Sequence, residues 1–231
     1  MPERTERNFA GKASAFHAGY ERMTDLNYDI IGNVDADVTF EEDYISFLLS
    51  RFCENSRLDI AGTPFTEGSQ RYDYRFTSIE HVSGACQLFR RECFEDIGGY
   101  APLKAGGIDL AAVLSARMKG WQTRTFIEKT YEHHKKTQAG KHSNRVTIFK
   151  SGYHDYLMGS RLLWQILRSC YQMTKTPFVV GGSLLLAGYL WAMFMRADHT
   201  VPRDLVIFRR KEQMQRIRDF LKKRFMPCIA F

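Results

Sequence analysis

Two aspartates stand one residue apart in the stretch Tyr28 to Phe40, which reads Tyr-Asp-Ile-Ile-Gly-Asn-Val-Asp-Ala-Asp-Val-Thr-Phe. On extended backbone alternate side chains point the same way, so Asp35 and Asp37 are expected to share a face. Two same-side carboxylates suit a hard divalent cation that also carries phosphate oxygens. The apolar run Ile30-Ile31-Gly32 ahead of them reads as a strand buried in the middle of a parallel sheet. In open α/β sheets ligands bind beyond the carboxyl ends of the strands, which is where the pair falls. The plainer alternative is a strand-end turn with two solvated acids.

Three further groups could join such a site. Asp109 follows Gly106-Gly107 at the start of a predicted helix, a position where aspartate serves simply as an N-cap. His133 and His134 are adjacent, so on extended backbone they point to opposite faces and at most one can reach a given site. The small residues Ser83-Gly84-Ala85 would let a ligand or another backbone approach closely.

The elements that must position these groups follow from periodicity. Phe9 to Met23 patterns as an amphipathic helix ahead of the Asp35 strand. Thr39 and Glu42 stand in capping-box spacing and predict a helix carrying Tyr44, Ile45, Leu48, Leu49 and Phe52. Leu58 to Gly62 reads as a strand, Pro64 to Tyr74 as a loop, and His81 to Arg90 as a further strand. Arg91 to Ile97 is a short helix stopped by Gly98-Gly99, and a helix after Asp109 stops at Gly120. Trp121 to Phe126 is the next strand, followed by a basic polar run from Lys135 to Lys150. Near residue 150 the character changes, which divides the chain into a core over 1–150 and a helical extension over 151–231. Thr176 to Met195 carries no charged residue and has the length of a membrane span, although an interfacial, re-entrant or buried helix is equally physical. The tail from Arg203 to Arg224 is strongly basic, and beside an apolar segment such a tail favours anionic headgroups.

Composition sets the outer limits. The chain has 231 residues, 44% of them hydrophobic, enough for one ordinary core and an appendage. A formal charge of +7 points towards polyanions, with anionic lipid and phosphates ahead of nucleic acid, because the basic residues cluster beside apolar sequence. Five cysteines without CxxC spacing argue against a disulfide scaffold or zinc ribbon and fit a reducing compartment. Met1 to Arg7 is charged, so no secretory signal is expected.

Taken in order, Gly11-Lys12-Ala13-Ser14-Ala15, Asp35-Ala36-Asp37, Ser83-Gly84-Ala85, Ile97-Gly98-Gly99-Tyr100, Gly107-Ile108-Asp109, Gly120-Trp121 and His133-His134 resemble a family 2 glycosyltransferase of the type associated with bacterial polysaccharide synthesis. The resemblance runs over roughly residues 8 to 145, and it rests on the ordered set, since no single piece is specific. It implies an α/β, Rossmann-like GT-A fold with a C-terminal, membrane-associating extension. It implies that Asp35 and Asp37 hold Mg²⁺ or Mn²⁺ against the diphosphate of a nucleotide sugar, with Asp37 the direct ligand. Lys12 would join the donor site, and a histidine, taken as His134, would supply a further metal ligand. Asp109 would be the general base, although the family's acidic pair is here Ile108-Asp109. The implied reaction is inverting transfer to a glycan or lipid-linked acceptor, at the cytoplasmic face of the cell membrane. The processive Gln-x-x-Arg-Trp signature is absent, which favours single-sugar addition.

One departure shapes the expectation for activity. Such a domain opens with a strand and loop that bind the nucleobase, and only 34 residues precede Asp35 here. The chain alone is therefore expected to transfer little sugar, and an upstream βαβ segment to restore transfer. Two other readings compete. Asp35-Ala36-Asp37-Val38-Thr39 fits the nucleophile motif of haloacid-dehalogenase-like phosphatases, which also need a later lysine and a second acidic cluster. A non-catalytic, membrane-attached remnant is the other.

Overall fold

The structure, a computed structural model, describes residues 10–23, 25–67, 70–71, 78–134 and 145–225. It forms two compact units, Met1–Thr137 and Gln138–Phe231. The first is a mixed α/β unit with two four-stranded sheets. Helix α1 (Ala10–Tyr20) precedes β1 (Ile30–Val34), and the chain then enters the short β2 (Val38–Thr39) and α2 (Tyr44–Glu54). There follow β3 (Leu58–Gly62), β4 (Phe65–Glu67), β5 (Gln70–Arg71) and β6 (Cys86–Arg90). Helices α3 (Arg91–Asp96) and α4 (Ile108–Met118) and strands β7 (Gln122–Thr125) and β8 (Tyr131–His133) complete it.

The first sheet runs β1-β6-β3-β7 and the second β2-β8-β4-β5. β6 is antiparallel to both of its neighbours, while β3 and β7 are parallel. So β1, β3 and β7 all point one way, with β6 reversed among them. The expectation of β1 in the middle of a parallel sheet is corrected on this point: among the described residues it is an edge strand paired only with β6. β1, β3 and β7 are each followed in the chain by a strand of the second sheet. The second sheet thus takes up the chain at the carboxyl ends of the three co-directional strands. The Asp35-Ala36-Asp37 turn is one of these crossings.

Strand alternation places apolar side chains on both faces of the first sheet. Ile31, Ile60 and Phe89 pack with Ala13 of α1, Phe94 of α3 and Ile108, Ala112 and Val113 of α4. Ala61, Cys86 and Leu88 pack on the other side with Tyr44, Leu48 and Phe52 of α2. Burying one such large side chain stabilises by about 1.5–3 kcal/mol, so these layers fix the strand ends that carry the site.

Several expectations shift. Thr39 lies in β2 and does not cap α2, whose N-cap is Asp43. The predicted loop after Pro64 contains the β4–β5 hairpin, and its remainder, like most of the basic run after Lys135, lies outside the described residues. The second unit holds α5 (Arg145–Leu157), α6 (Leu162–Met173), α7 (Val180–Phe194) and α8 (Arg203–Phe225). No helix among the described residues is long and apolar enough to cross a membrane, and the uncharged stretch from Thr176 folds as the 15-residue α7.

Candidate active site

β1 ends at Val34, and the chain turns at once. Asp35 to Asp37 is therefore not extended backbone, as the alternation argument assumed. The turn is tied down by its neighbours: the Asp35 N–H donates to the Ala85 carbonyl at 2.9 Å, and the His134 N–H to the Asp37 carbonyl at 2.9 Å. The carboxylates still converge. Asp35, Asp37 and His133 each offer one ligand atom, and these atoms lie within 4.8 Å of one another. His133 Nε2 stands 3.6 Å from Asp37 Oδ1.

The histidine that joins the aspartates is His133, and the expectation of His134 is corrected. β8 pairs antiparallel with β2, setting His133 opposite Val38, while His134 continues past the strand end. Neighbouring side chains leave a strand on opposite sides, so the two rings part company. His134 turns to Thr39, with its Nε2 2.9 Å from the Thr39 hydroxyl. The imidazole of His133 packs against Phe65, ring centroids 5.8 Å apart.

Lys12 reaches into the same corner from α1. Its ammonium donates to Asp35 Oδ1 at 2.5 Å and to the Gly84 carbonyl at 3.1 Å. An ammonium carries three donors, so one is left for a further acceptor. Lys12 thereby offsets part of the charge of Asp35 and fixes its carboxylate. Asp37 is the less encumbered of the two.

Asp109 arrives from the other side of Gly84. Gly106 and Gly107 adopt left-handed φ values of 96° and 79°, which only glycine takes without strain, and Gly107 is the N-cap of α4. Asp109 is thus the second helical residue and not the cap. A Cβ at Gly84 would lie 2.5 Å from Asp109 Cβ and 2.8 Å from its Cγ, so the absence of a side chain there is what admits the aspartate. The Gly84 carbonyl also accepts from buried Asn33 Nδ2 at 2.7 Å. One glycine therefore links the Asp35 side of the site to Asp109.

Beneath both carboxylates lies Tyr100, fully packed, its hydroxyl donating to Gln87 Oε1 at 2.7 Å. Burial first, then the charges of Asp109 and Asp35, push its phenol well above its ordinary range, so it serves as a neutral hydrogen-bond donor. The Cys86 thiol is likewise pushed up, mainly by burial and also by Asp35, which leaves it inert. Sequence reasoning missed Asn33 and Gln87. Their signal was a polar residue in each of two strands whose neighbours are apolar.

No protein-family model matches the chain, and neither does any curated protein. Among solved structures it is similar to a mannosyltransferase. That structure is PcManGT from Pyrobaculum calidifontis in complex with GDP-Man and Mn²⁺, at 13% identity and a TM-score of 0.49. The alignment covers 98% of this chain, which spans 63% of the length of that one.

The role of Gly84 gives a prediction. Gly84→Ala is expected to force Asp109 away or to shift the Ser83–Ala85 backbone, with a loss of about 1–3 kcal/mol in unfolding free energy. Denaturant unfolding measures it. Unchanged stability together with an unmoved Asp109 in a crystal structure of the variant would show that the contact is not restrictive.

Proposed function

We propose that the chain is a glycosyltransferase acting on a nucleotide diphospho-sugar, with Asp35, Asp37 and His133 holding a divalent cation and Asp109 serving as general base. The observation that carries this reading is the convergence of Asp35 and Asp37, in the turn after β1, with His133 of β8, and with Asp109 set apart across Gly84. Two carboxylates and one imidazole fit a cation that accepts oxygen and nitrogen donors. The imidazole favours Mn²⁺ over Mg²⁺, which prefers oxygen throughout.

In this reading an acceptor hydroxyl attacks the anomeric carbon of the donor sugar. The bond from that carbon to the diphosphate oxygen breaks, and its electron pair leaves with the nucleoside diphosphate. Asp109 takes the hydroxyl proton, and attack from the face opposite the leaving group gives inversion. The bound cation would supply positive charge against the leaving diphosphate. Lys12 directs its remaining donor to the same phosphates, and its hydrogen bond to Asp35, braced by the one to the Gly84 carbonyl, keeps that carboxylate in place. A glycan or lipid-linked molecule is the proposed acceptor. The phosphatase reading is less well served, because the third group beside the aspartates is a histidine where that chemistry calls for acids.

Release of nucleoside diphosphate from a panel of nucleotide sugars, with Mn²⁺ and with or without hydroxyl acceptors, tests the proposal. Metal- and acceptor-dependent release from one donor is expected, either by the chain alone or once an upstream βαβ segment is supplied. Release of inorganic phosphate from phosphomonoesters, with every nucleotide sugar left intact, would favour the phosphatase instead.

A further inference from the structure

Two helices of the second unit, α6 and α7, expose large apolar side chains while burying polar or small ones. On α6, Gln165 and Ser169 stand four apart on one face and are completely buried, at 0% exposure each. The Gln165 amide and the Ser169 hydroxyl find no hydrogen-bond partner among the described residues. The opposite face carries Leu163 and Leu167, which are 44% and 47% exposed. A helix of a water-soluble unit would be turned the other way, since burying unpartnered polar groups costs free energy and exposing leucine forgoes it.

α7 also leaves large apolar side chains outside. Its buried residues are Gly181, Gly182, Leu185, Gly188, Tyr189 and Ala192, while Trp191 and Phe194 face outward, Phe194 at 79% exposure. The glycines cannot be replaced by larger apolar residues that would hide inside. A Cβ on Gly188 would strike the Phe149 carbonyl oxygen of α5, and one on Gly182 would strike that of Ser169. Close backbone packing at these glycines leaves room inside for Leu185 and Tyr189 but keeps Leu190, Trp191, Met193 and Phe194 on the outward side. Phe178, Val179 and Val180, at its start, are exposed as well.

Charge identifies what covers these faces. From Tyr156 to Ala197 there is no acidic residue, whereas Arg161, Arg168, Lys175 and Arg196 lie in that span. Arg168 is engaged with Asp155, and Lys175 sits 4.4 Å over the ring of Tyr171. Arg161 and Arg196 are exposed at the ends of the apolar stretches. Apolar surface bordered by cations and free of anions fits an anionic bilayer surface. At about 1.5 Å per residue α7 is some 22 Å long, short of the roughly 30 Å hydrocarbon core, so it suits an in-plane position.

We infer that the outward faces of α6 and α7 dock in the plane of an anionic membrane surface, independently of whether the first unit is a transferase. Flotation of the whole chain with phosphatidylcholine vesicles, with and without phosphatidylglycerol, is the test. Binding is expected to the phosphatidylglycerol vesicles, to weaken as salt is raised, and to be poor on phosphatidylcholine alone. The double substitution Leu163→Glu/Leu167→Glu changes only exposed positions, so the fold should persist by circular dichroism. It should lower partitioning by about tenfold or more, since each leucine withdrawn from water supplies a good part of the binding free energy. Phe194→Glu provides the same test on α7 should the α6 variant not fold. Absence of binding to phosphatidylglycerol vesicles would overturn the inference, as would undiminished binding by the folded variants. So would a vesicle-independent dimer, seen by light scattering, that the same substitutions convert to monomer, because the face would then belong to a second copy of the chain.

Discussion

Asp109→Asn is expected to lower the rate of sugar transfer by ~10²–10⁴-fold while leaving the affinity for the nucleotide sugar nearly unchanged. Asparagine keeps the size of the side chain, so the contact across Gly84 and the packing on α4 survive. What it loses is the ability to accept a proton from the acceptor hydroxyl. An interaction made only in the transition state lowers kcat and kcat/KM together, whereas a lost binding contact would raise KM. The donor-binding groups of the proposal, Lys12, Asp35 and Asp37, belong to the turn after β1 and to α1, and the substitution leaves them alone. The comparison is made in whichever form turns over, with or without an added upstream segment. Turnover equal to that of the unaltered protein would remove Asp109 from the role of base.

The second large effect is expected at Asp37. Two carboxylates and an imidazole leave part of any coordination shell to water and phosphate, so Mn²⁺ alone should bind weakly and a nucleoside diphosphate should tighten it. Of the two aspartates, Asp35 already accepts a hydrogen bond from Lys12, whereas Asp37 has the more distant His133 imidazole beside it, at 3.6 Å. Asp37→Ala should therefore abolish the tightening, a loss of about tenfold or more in Mn²⁺ affinity with nucleotide present. Calorimetric titration of both proteins measures it. The turn itself is held by the Asp35 N–H and Asp37 carbonyl, which the substitution retains, so stability should change little. Equal tightening in the variant would exclude Asp37 as a ligand.

How far the sequence revealed these features depended on the range of the interaction. The apolar run before Asp35 and the glycine stops after α3 and α4 were legible, because each is set by residues within a turn or two. Long-range pairing was not. Nothing local to Cys86–Arg90 shows that it runs against β1 and β3, and the apolar content that suggested a parallel sheet arises equally from being covered on both faces. Thr39 and Glu42 have the spacing of a capping box, yet pairing with β8 takes Thr39 into a strand. The choice between His133 and His134 needs the orientation of β8, which the sequence leaves open. The closeness of Gly84 to Asp109 is a tertiary contact that no spacing encodes. In α6, a helical extension does not by itself say which face turns inward, and here Gln165 and Ser169 took the inner one.

The central claim is that Asp35, Asp37 and His133 hold one cation together, and spin-echo spectroscopy of bound Mn²⁺ tests it most directly. With nucleoside diphosphate present, the account predicts modulation from a coordinated histidine nitrogen and from phosphorus in the unaltered protein. The nitrogen signal should vanish in His133→Ala and persist in His134→Ala. A spectrum without histidine nitrogen, or one that loses it only in His134→Ala, would contradict the site described here.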